Sequence, residues 1–150
     1  AGRIVQESSP VGIYQQPATT FVASFIGQSN FLDGIVVGLP HADGAEGLVE
    51  TAAGRLVCWL PTDSMLGDTV TVAVRPEDIR VSEGDEATAA NQLGGTVEAV
   101  MFMGEAKECT VALGDRERLR LRLHPTARVE RGQALRLVLT AEKCRALRKP

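Results

Sequence analysis

A chain of 150 residues can bury a hydrophobic core without disulfides, and it suits one domain or one domain with an appended segment. Its formal net charge of −3 argues against a general binder of nucleic acid or other polyanions. The three cysteines, Cys58, Cys109 and Cys144, are far apart and fit neither a disulfide framework nor a zinc motif, so we expect them to be buried or partly exposed cytosolic thiols.

The first element in chain order is a short helical segment. Pro17 interrupts it, because the residue before a proline is pushed toward extended geometry. The stretch "TTFVASFIG" then predicts a helix that Thr19 or Thr20 caps and that Gly27 ends. Spacings of four residues place its apolar side chains on one stripe, made of Phe21, Val22, Phe25 and Ile26.

From residue 30 onward the pattern changes to short strands. Segments such as "FLDGIVVG", "DTVTVAV", "ECTVAL", "ERLRLRL" and "ALRLVL" are rich in Val and Leu, and Gly, Asp or Pro separates them. Period-two alternation of this kind predicts a mainly β barrel or sandwich. The acidic stretch "SEGDEATAAN" lacks the strand pattern and predicts a connector between two halves.

The two predicted halves share motifs in the same order. "NFLDGIV" begins at Asn30 and "NQLGGTV" begins at Asn91, so both read N-x-L-x-G-x-V and lie 61 residues apart. "GDTVTVAV" starts at Gly67 and "GQALRLVL" starts at Gly132, with apolar residues at matching positions. An internal duplication is therefore expected, with halves at about 29–81 and 91–146.

Two motifs carry a resemblance to a known family. "SPVGIYQQPATTFVASFIGQSN" resembles the junction that ends the nucleotide-binding domain of bacterial ABC importer ATPases of the maltose, spermidine and iron types. Gly12 departs from that pattern, since the family has Glu there. "VRPEDI", at 74–79, resembles the R-P-E signature of the regulatory region in the same proteins, which is known as a TOBE domain.

The resemblance implies a domain organisation and a fold. Residues 1–28 would be the helical tail of a nucleotide-binding domain, and residues 29–150 a TOBE-type regulatory domain of two OB-like halves. The chain begins "AGRIVQ" without an initiator Met, which also suggests a piece of a longer protein. An alternative stays open, in which the apolar stripe of the helical segment packs on this domain's own barrel.

The implied function is non-catalytic. The chain contains no G-x-x-x-x-G-K-[ST] loop, which holds nucleotide phosphates, so the fragment needs no cofactor although its parent would use ATP and Mg. The resemblance implies a regulatory and dimerisation domain, whose partners are a second ATPase subunit, the parent's nucleotide-binding domain and a membrane permease. Such a protein is cytoplasmic and peripheral to the inner membrane, and nucleic acid is not among its partners.

Two groups of residues are candidates for a site, and no catalytic or metal-binding residue is predicted. Arg75, Pro76 and Glu77 form the R-P-E motif, for which a structural turn with an ion pair is favoured over ligand contact. Asn91, Gly94 and Gly95 lie in "AANQLGGTV", which resembles the oxyanion-binding motif of molybdate-binding modules but lacks its Ser and basic residue.

Other interpretations stay open beside the regulatory one. A weak anion nest would make the domain a sensor of an oxyanion or of the transported solute, and a free-standing OB-like barrel could bind oligonucleotide or sugar. In "RERLRLRL", Arg118, Arg120 and Arg122 share one face. A solvated basic face is favoured there over a docking patch for an acidic partner. The isolated His41 and His124 lie in turn-like contexts beside prolines and are expected to be structural.

Overall fold

The computed structural model describes residues 29–41, 45–82 and 91–148, and it shows β-strands joined by short turns. The ten strands are β1 (Asn30–Gly38), β2 (Glu46–Thr51), β3 (Gly54–Trp59), β4 (Thr69–Val74), β5 (Ile79–Val81), β6 (Asn91–Phe102), β7 (Lys107–Ala112), β8 (Arg118–Leu123), β9 (Ala134–Leu139) and β10 (Arg145–Arg148). Two 3-10 turns, Pro76–Asp78 and Ala141–Lys143, precede β5 and β10. The mainly β prediction is confirmed, whereas the predicted helix and most of the acidic connector lie outside the described residues.

The strands form two sheets. β1, β2, β3, β10 and β4 make a closed barrel, here called the first barrel. β5, β9, β6, β7 and β8 make a five-stranded sheet, here called the second sheet, whose end strands are β5 and β8. These two sheets agree with the expected pair of OB-like halves.

Each sheet contains one strand from the other half of the chain. After β4 the chain passes through the first 3-10 turn into β5, which pairs antiparallel with β9 of the second sheet. After β9 it passes through the second 3-10 turn into β10, which lies between β3 and β4 of the first barrel. The sequence pattern did not identify β10 as a strand, and the division of the chain into 1–28, 29–81 and 91–146 stays a prediction.

The duplicated motifs occupy the same positions in the two sheets. The N–H of Gly67 donates to the carbonyl of Val36, and the N–H of Gly132 donates to the carbonyl of Val97, both at 2.8 Å. In each half, the glycine that starts the second motif therefore donates a hydrogen bond to the last valine of the first motif. The two halves repeat a tertiary contact as well as a sequence pattern.

One hydrophobic core serves both sheets. Alternating residues of every long strand point into it, including Leu32 and Val72 of the first barrel and Leu121 and Leu137 of the second sheet. Full burial of one such side chain contributes about 1.5–3 kcal/mol. All three cysteines are buried and free, whereas the sequence had left open whether some are partly exposed. Among the described residues no helix is long and apolar enough to cross a membrane.

Candidate functional site

Two asparagines tie the sheets together by reciprocal bridges. The N–H of Val57 in β3 donates to Asn91 Oδ1 at 2.7 Å, and Asn91 Nδ2 donates back to the Val57 carbonyl at 2.8 Å. The N–H of Arg120 in β8 donates to Asn30 Oδ1 at 2.8 Å, and Asn30 Nδ2 donates back to the Arg120 carbonyl at 2.9 Å. Each buried asparagine side chain thus satisfies one backbone N–H and one carbonyl of a strand in the opposite sheet.

The glycines of the duplicated motifs lie inside strands. Gly95 approaches β7 so closely that an added Cβ would lie 2.7 Å from the carbonyl oxygen of Ala112. Gly94 faces open space, with no atom within 4 Å of an added Cβ. Both glycines pair with β9, opposite Leu135 and Arg136, and the Asn91 side chain is occupied by the bridge to Val57. The anion nest at Asn91, Gly94 and Gly95 stays a prediction.

The R-P-E motif forms a corner between the two sheets. Pro76 is buried as the first residue of the 3-10 turn, and the N–H of Asp78 donates to the Arg75 carbonyl at 3.0 Å. Arg75 is half-buried and holds an interaction of its own, while Glu77 is exposed. The second 3-10 turn has the same bond, from Lys143 N–H to the Thr140 carbonyl at 3.0 Å. This geometry is compatible with the structural interpretation of the motif, which stays a prediction.

The arginines of β8 face solvent, as their alternation with leucines predicted. Leu119 and Leu121 are fully buried beneath them. Arg118 donates to Glu98 at 2.7 Å, whereas Arg120 and Arg122 lie 3.8 and 3.9 Å from the two oxygens of Glu108. Because these side chains are partly exposed, each such pair contributes roughly 0–1 kcal/mol. They form a charged face across β6, β7 and β8.

An open cleft lies at the end of this face, between β5 and β8. Its volume is about 740 Å³, and it is lined by three arginines, Arg80, Arg122 and Arg128, with Glu77 as the carboxylate among its described lining residues. His124 also borders it, and its Nδ1 accepts the N–H of Thr126 at 3.2 Å. Sequence reasoning missed this cleft, because strand alternation does not reveal which edges face each other.

An exposed apolar tip projects from the β6–β7 hairpin. The tip consists of Val100, Met101, Phe102 and Met103, whose exposed fractions are 36%, 61%, 65% and 55%. Successive strand residues point to opposite sides, so the tip is apolar on both faces. Sequence reasoning did not single it out, although the run "VMFM" breaks the alternation of the preceding strand and was the available signal.

The chemistry for a metal or a reactive thiol is not assembled in the part of the chain that the structure describes. No cluster of three His, Cys, Asp or Glu side chains suited to a metal ion occurs among those residues. Burial raises the pKa of the Cys144 thiol to about 12 and also raises the pKa of Cys58 and of Cys109. Thiols with raised pKa values stay protonated and are poor nucleophiles.

One protein family and several curated proteins are similar to this chain. A family described as "TOBE domain" matches residues 72–147. The chain is 34% identical over 150 residues to a spermidine/putrescine import ATP-binding protein of Rubrobacter xylanophilus, with 95% of this chain and 38% of that protein covered. It is 34% identical over 148 residues to an alpha-glucoside transport ATP-binding protein of Rhizobium meliloti, with 97% and 39% covered. The chain therefore spans less than half the length of the curated relatives it matches.

A solved structure with a similar fold is that of the cytoplasmic molybdate-binding protein ModG with molybdate bound. The TM-score is 0.72, and the match covers 81% of this chain and 96% of that one. Sequence identity is only 20%, so the likeness concerns the fold alone. It agrees with the two OB-like sheets described above.

Proposed function

The chain belongs to the TOBE domain family found in the ATP-binding subunits of ABC importers, and we propose that it is the regulatory and dimerisation domain of such a subunit. In this role it does no bond chemistry. It steadies a pair of ATP-binding subunits through contacts between surfaces while their nucleotide-binding domains open and close.

We also propose partners and a cellular location for the domain. Its partners are a second ATP-binding subunit, the nucleotide-binding domain of its own parent chain and a membrane permease. The parent uses ATP and Mg, and it lies in the cytoplasm at the inner membrane. The transported solute is not part of the proposal, since the relatives are importers of chemically different solutes, a polyamine and an alpha-glucoside.

The observation that carries the dimerisation is the apolar tip of the β6–β7 hairpin. Large exposed apolar groups side by side on a soluble protein mark an interaction surface. The tip is held by the N–H of Met103, which donates to the Ala106 carbonyl at 2.8 Å, and by Gly104, whose φ of +81° suits the turn. A pre-formed apolar surface loses little conformational entropy when it binds.

A second copy of this chain suits the tip as its occupant. In a two-fold contact the same residues of both copies meet, so an apolar patch is complementary to itself. Met101 and Phe102 extend from opposite sides of the hairpin, so either face of the tip offers an apolar side chain to a second copy. An ionic partner would leave these side chains unmatched.

The test is a pair of charge substitutions at exposed apolar positions. Phe102→Glu puts a carboxylate into the proposed contact, so we expect the dissociation constant of self-association to rise about tenfold or more, as one buried unpaired charge implies. Met65→Glu is the matched control, because Met65 is equally exposed, at 67%, but lies in a turn of the first barrel. Sedimentation equilibrium measures both variants.

Two outcomes would contradict this assignment of the surface. In one, Phe102→Glu associates as tightly as the unsubstituted chain. In the other, Met65→Glu weakens association as much as Phe102→Glu, which would show a general effect of added charge. Circular dichroism of both variants confirms that the β structure is retained.

A further inference from the structure

The two sheets differ at one equivalent place, here called the seam. The seam lies between β3 and β10 in the first barrel and between β5 and β8 in the second sheet. In the first barrel β3 and β10 pair in parallel, with Trp59 opposite Arg145. The N–H of Trp59 donates to the carbonyl of Cys144 at 2.8 Å, and the Arg145 guanidinium lies 4.8 Å from the centre of the Trp59 ring. A backbone hydrogen bond and a cation–π contact therefore close this seam.

The duplication identifies the matching residues of the second sheet. Arg80 is the second residue after its 3-10 turn, as Arg145 is after the other. Arg122 lies two residues beyond Arg120, which Asn30 bridges, just as Trp59 lies two residues beyond Val57, which Asn91 bridges. The position of the tryptophan is thus taken by an arginine, so the second seam sets arginine against arginine.

The second seam lacks the contact that closes the first. An arginine at the position of Trp59 provides no aromatic face for Arg80. Among the described strands β5 and β8 remain the two ends of the sheet, and the cleft of about 740 Å³ lies between them.

The cleft combines cationic walls with an apolar floor. Three arginines and Glu77 leave an excess of positive charge among its described lining residues. The floor is formed by Ile79, Val81, Leu123 and Leu135. Arg128 also borders an adjoining hollow that Lys107 lines, which extends the positive surface.

The internal partner of Arg122 does not neutralise it well. The guanidinium of Arg122 lies 3.9 Å from a Glu108 oxygen, beyond hydrogen-bond distance, and Glu108 is shared with Arg120 at 3.8 Å. His124 borders the cleft as well, and its Nδ1 lies 2.7 Å from the Thr126 hydroxyl oxygen.

We propose that this cleft binds a small organic anion, with a carboxylate or phosphate group between Arg80 and Arg122 and an apolar body on the floor. Arginine is suited to such groups because its planar fork donates two parallel hydrogen bonds. The bound anion would bridge β5 and β8 and so complete the second barrel. The inference goes beyond the proposed function and does not depend on dimerisation.

The experiment uses phenyl phosphate and phenylacetate as probes of the two anionic groups, with inorganic phosphate as the probe that lacks an apolar body. Each is titrated into the full ¹⁵N-labelled chain and followed by amide chemical shifts. We expect saturable shifts in β5 and β8, and tighter binding of an aromatic probe than of inorganic phosphate. The tighter of the two aromatic probes identifies the preferred anionic group.

Matched variants then test the arginine. Arg122→Gln removes the charge at the seam, and we expect it to weaken the tighter aromatic probe about tenfold or more, which is typical for loss of one charge-assisted contact. Arg118→Gln is the control, since Arg118 is an exposed arginine of the same strand but pairs with Glu98 away from the cleft. This control should bind as the unsubstituted chain does.

Three results would overturn the inference. They are shifts that do not saturate, equal weakening by Arg122→Gln and Arg118→Gln, and shifts centred on Gly94 and Gly95 instead of the seam. The Phe102→Glu variant separates this inference from the proposed function. It should keep the cleft intact and bind the probe normally, whatever its state of association.

Discussion

At the scale of single residues, Gly95 and its neighbour Gly94 have different roles. Gly95 allows β6 to approach β7, whereas the adjacent Gly94 points to open space. Gly95→Ala would force its Cβ against the carbonyl oxygen of Ala112, so we expect the free energy of unfolding to fall by about 1–3 kcal/mol, the usual cost of overpacking.

Gly94→Ala is the control for this change. With no atom within 4 Å of its added Cβ, it should leave stability unchanged or raise it by up to about 1 kcal/mol. Urea unfolding monitored by circular dichroism measures both variants. Equal destabilisation by the two substitutions would show that the close approach of β6 to β7 is not the cause.

The buried thiols predict an alkaline limit to stability. Burial raises the pKa of Cys144 to about 12 from an ordinary value of 9.0, so the folded chain keeps a proton that the unfolded chain releases. Stability is therefore full below pH 9 and falls as the pH rises from there toward the folded pKa. The expected loss is about 1.4 kcal/mol per pH unit for each such thiol.

Cys144→Ala removes one of these thiols and should reduce the pH dependence, although it lowers stability at neutral pH by leaving a small cavity. The free energy of unfolding is measured in urea from about pH 8 to about pH 10.5, where an exposed thiol ionises. If the variant and the unsubstituted chain lose stability with the same slope, Cys144 does not retain its proton as described.

At the scale of strands, the asparagine bridges couple the two sheets. Asn91→Ala would leave the N–H and carbonyl of Val57 without their partner in the described structure. A buried unsatisfied backbone group costs about 1–3 kcal/mol, so we expect a clear loss of stability. Thr96→Ala, an exposed position on the same strand, is the control and should have little effect. A melting temperature unchanged by Asn91→Ala would argue against the bridge.

The sequence predicted much of each strand but not the partners of the strands. Alternation of arginine and leucine in β8 correctly assigned one face to solvent and one to the core. The repeated N-x-L-x-G-x-V motif indicated the duplication, because the fold needs an asparagine and a glycine at those positions. Alternation gives the face of a residue, but it does not tell which strand lies beside it.

For that reason the exchange of β5 and β10 could not be predicted. The stretch "CRALRK" is short and only half apolar, and it becomes a strand by pairing with β3 and β4 of the first barrel. The cleft depends on the same long-range pairing, since Arg80 and Arg122 are adjacent only through the fold. The apolar tip was visible as "VMFM", but only the structure shows that the tip is exposed.

At the scale of the whole molecule, one core holds two sheets whose surfaces differ. The hairpin of β6 and β7 offers an apolar tip, and the seam of β5 and β8 offers a cationic cleft. Both surfaces suit a domain that acts by binding other molecules. They therefore support the proposed regulatory role of the chain.

We expect the chain alone not to hydrolyse ATP. Its sequence carries no G-x-x-x-x-G-K-[ST] loop, whose backbone N–H groups and lysine hold the phosphates in such ATPases. Phosphate release with ATP and Mg should equal that of a blank without protein. Release that rises in proportion to the concentration of the chain and persists through purification would contradict this expectation.

The central claim, that the β region holds a dimer contact, is tested most directly by light scattering of two chains. One is the full chain, and the other is residues 29–150, which lacks the predicted helical segment with its apolar stripe. The account predicts dimers of both at high micromolar concentration, because the tip of the β6–β7 hairpin is present in each. A monomeric full chain, or a dimer that becomes monomeric when residues 1–28 are removed, would contradict it.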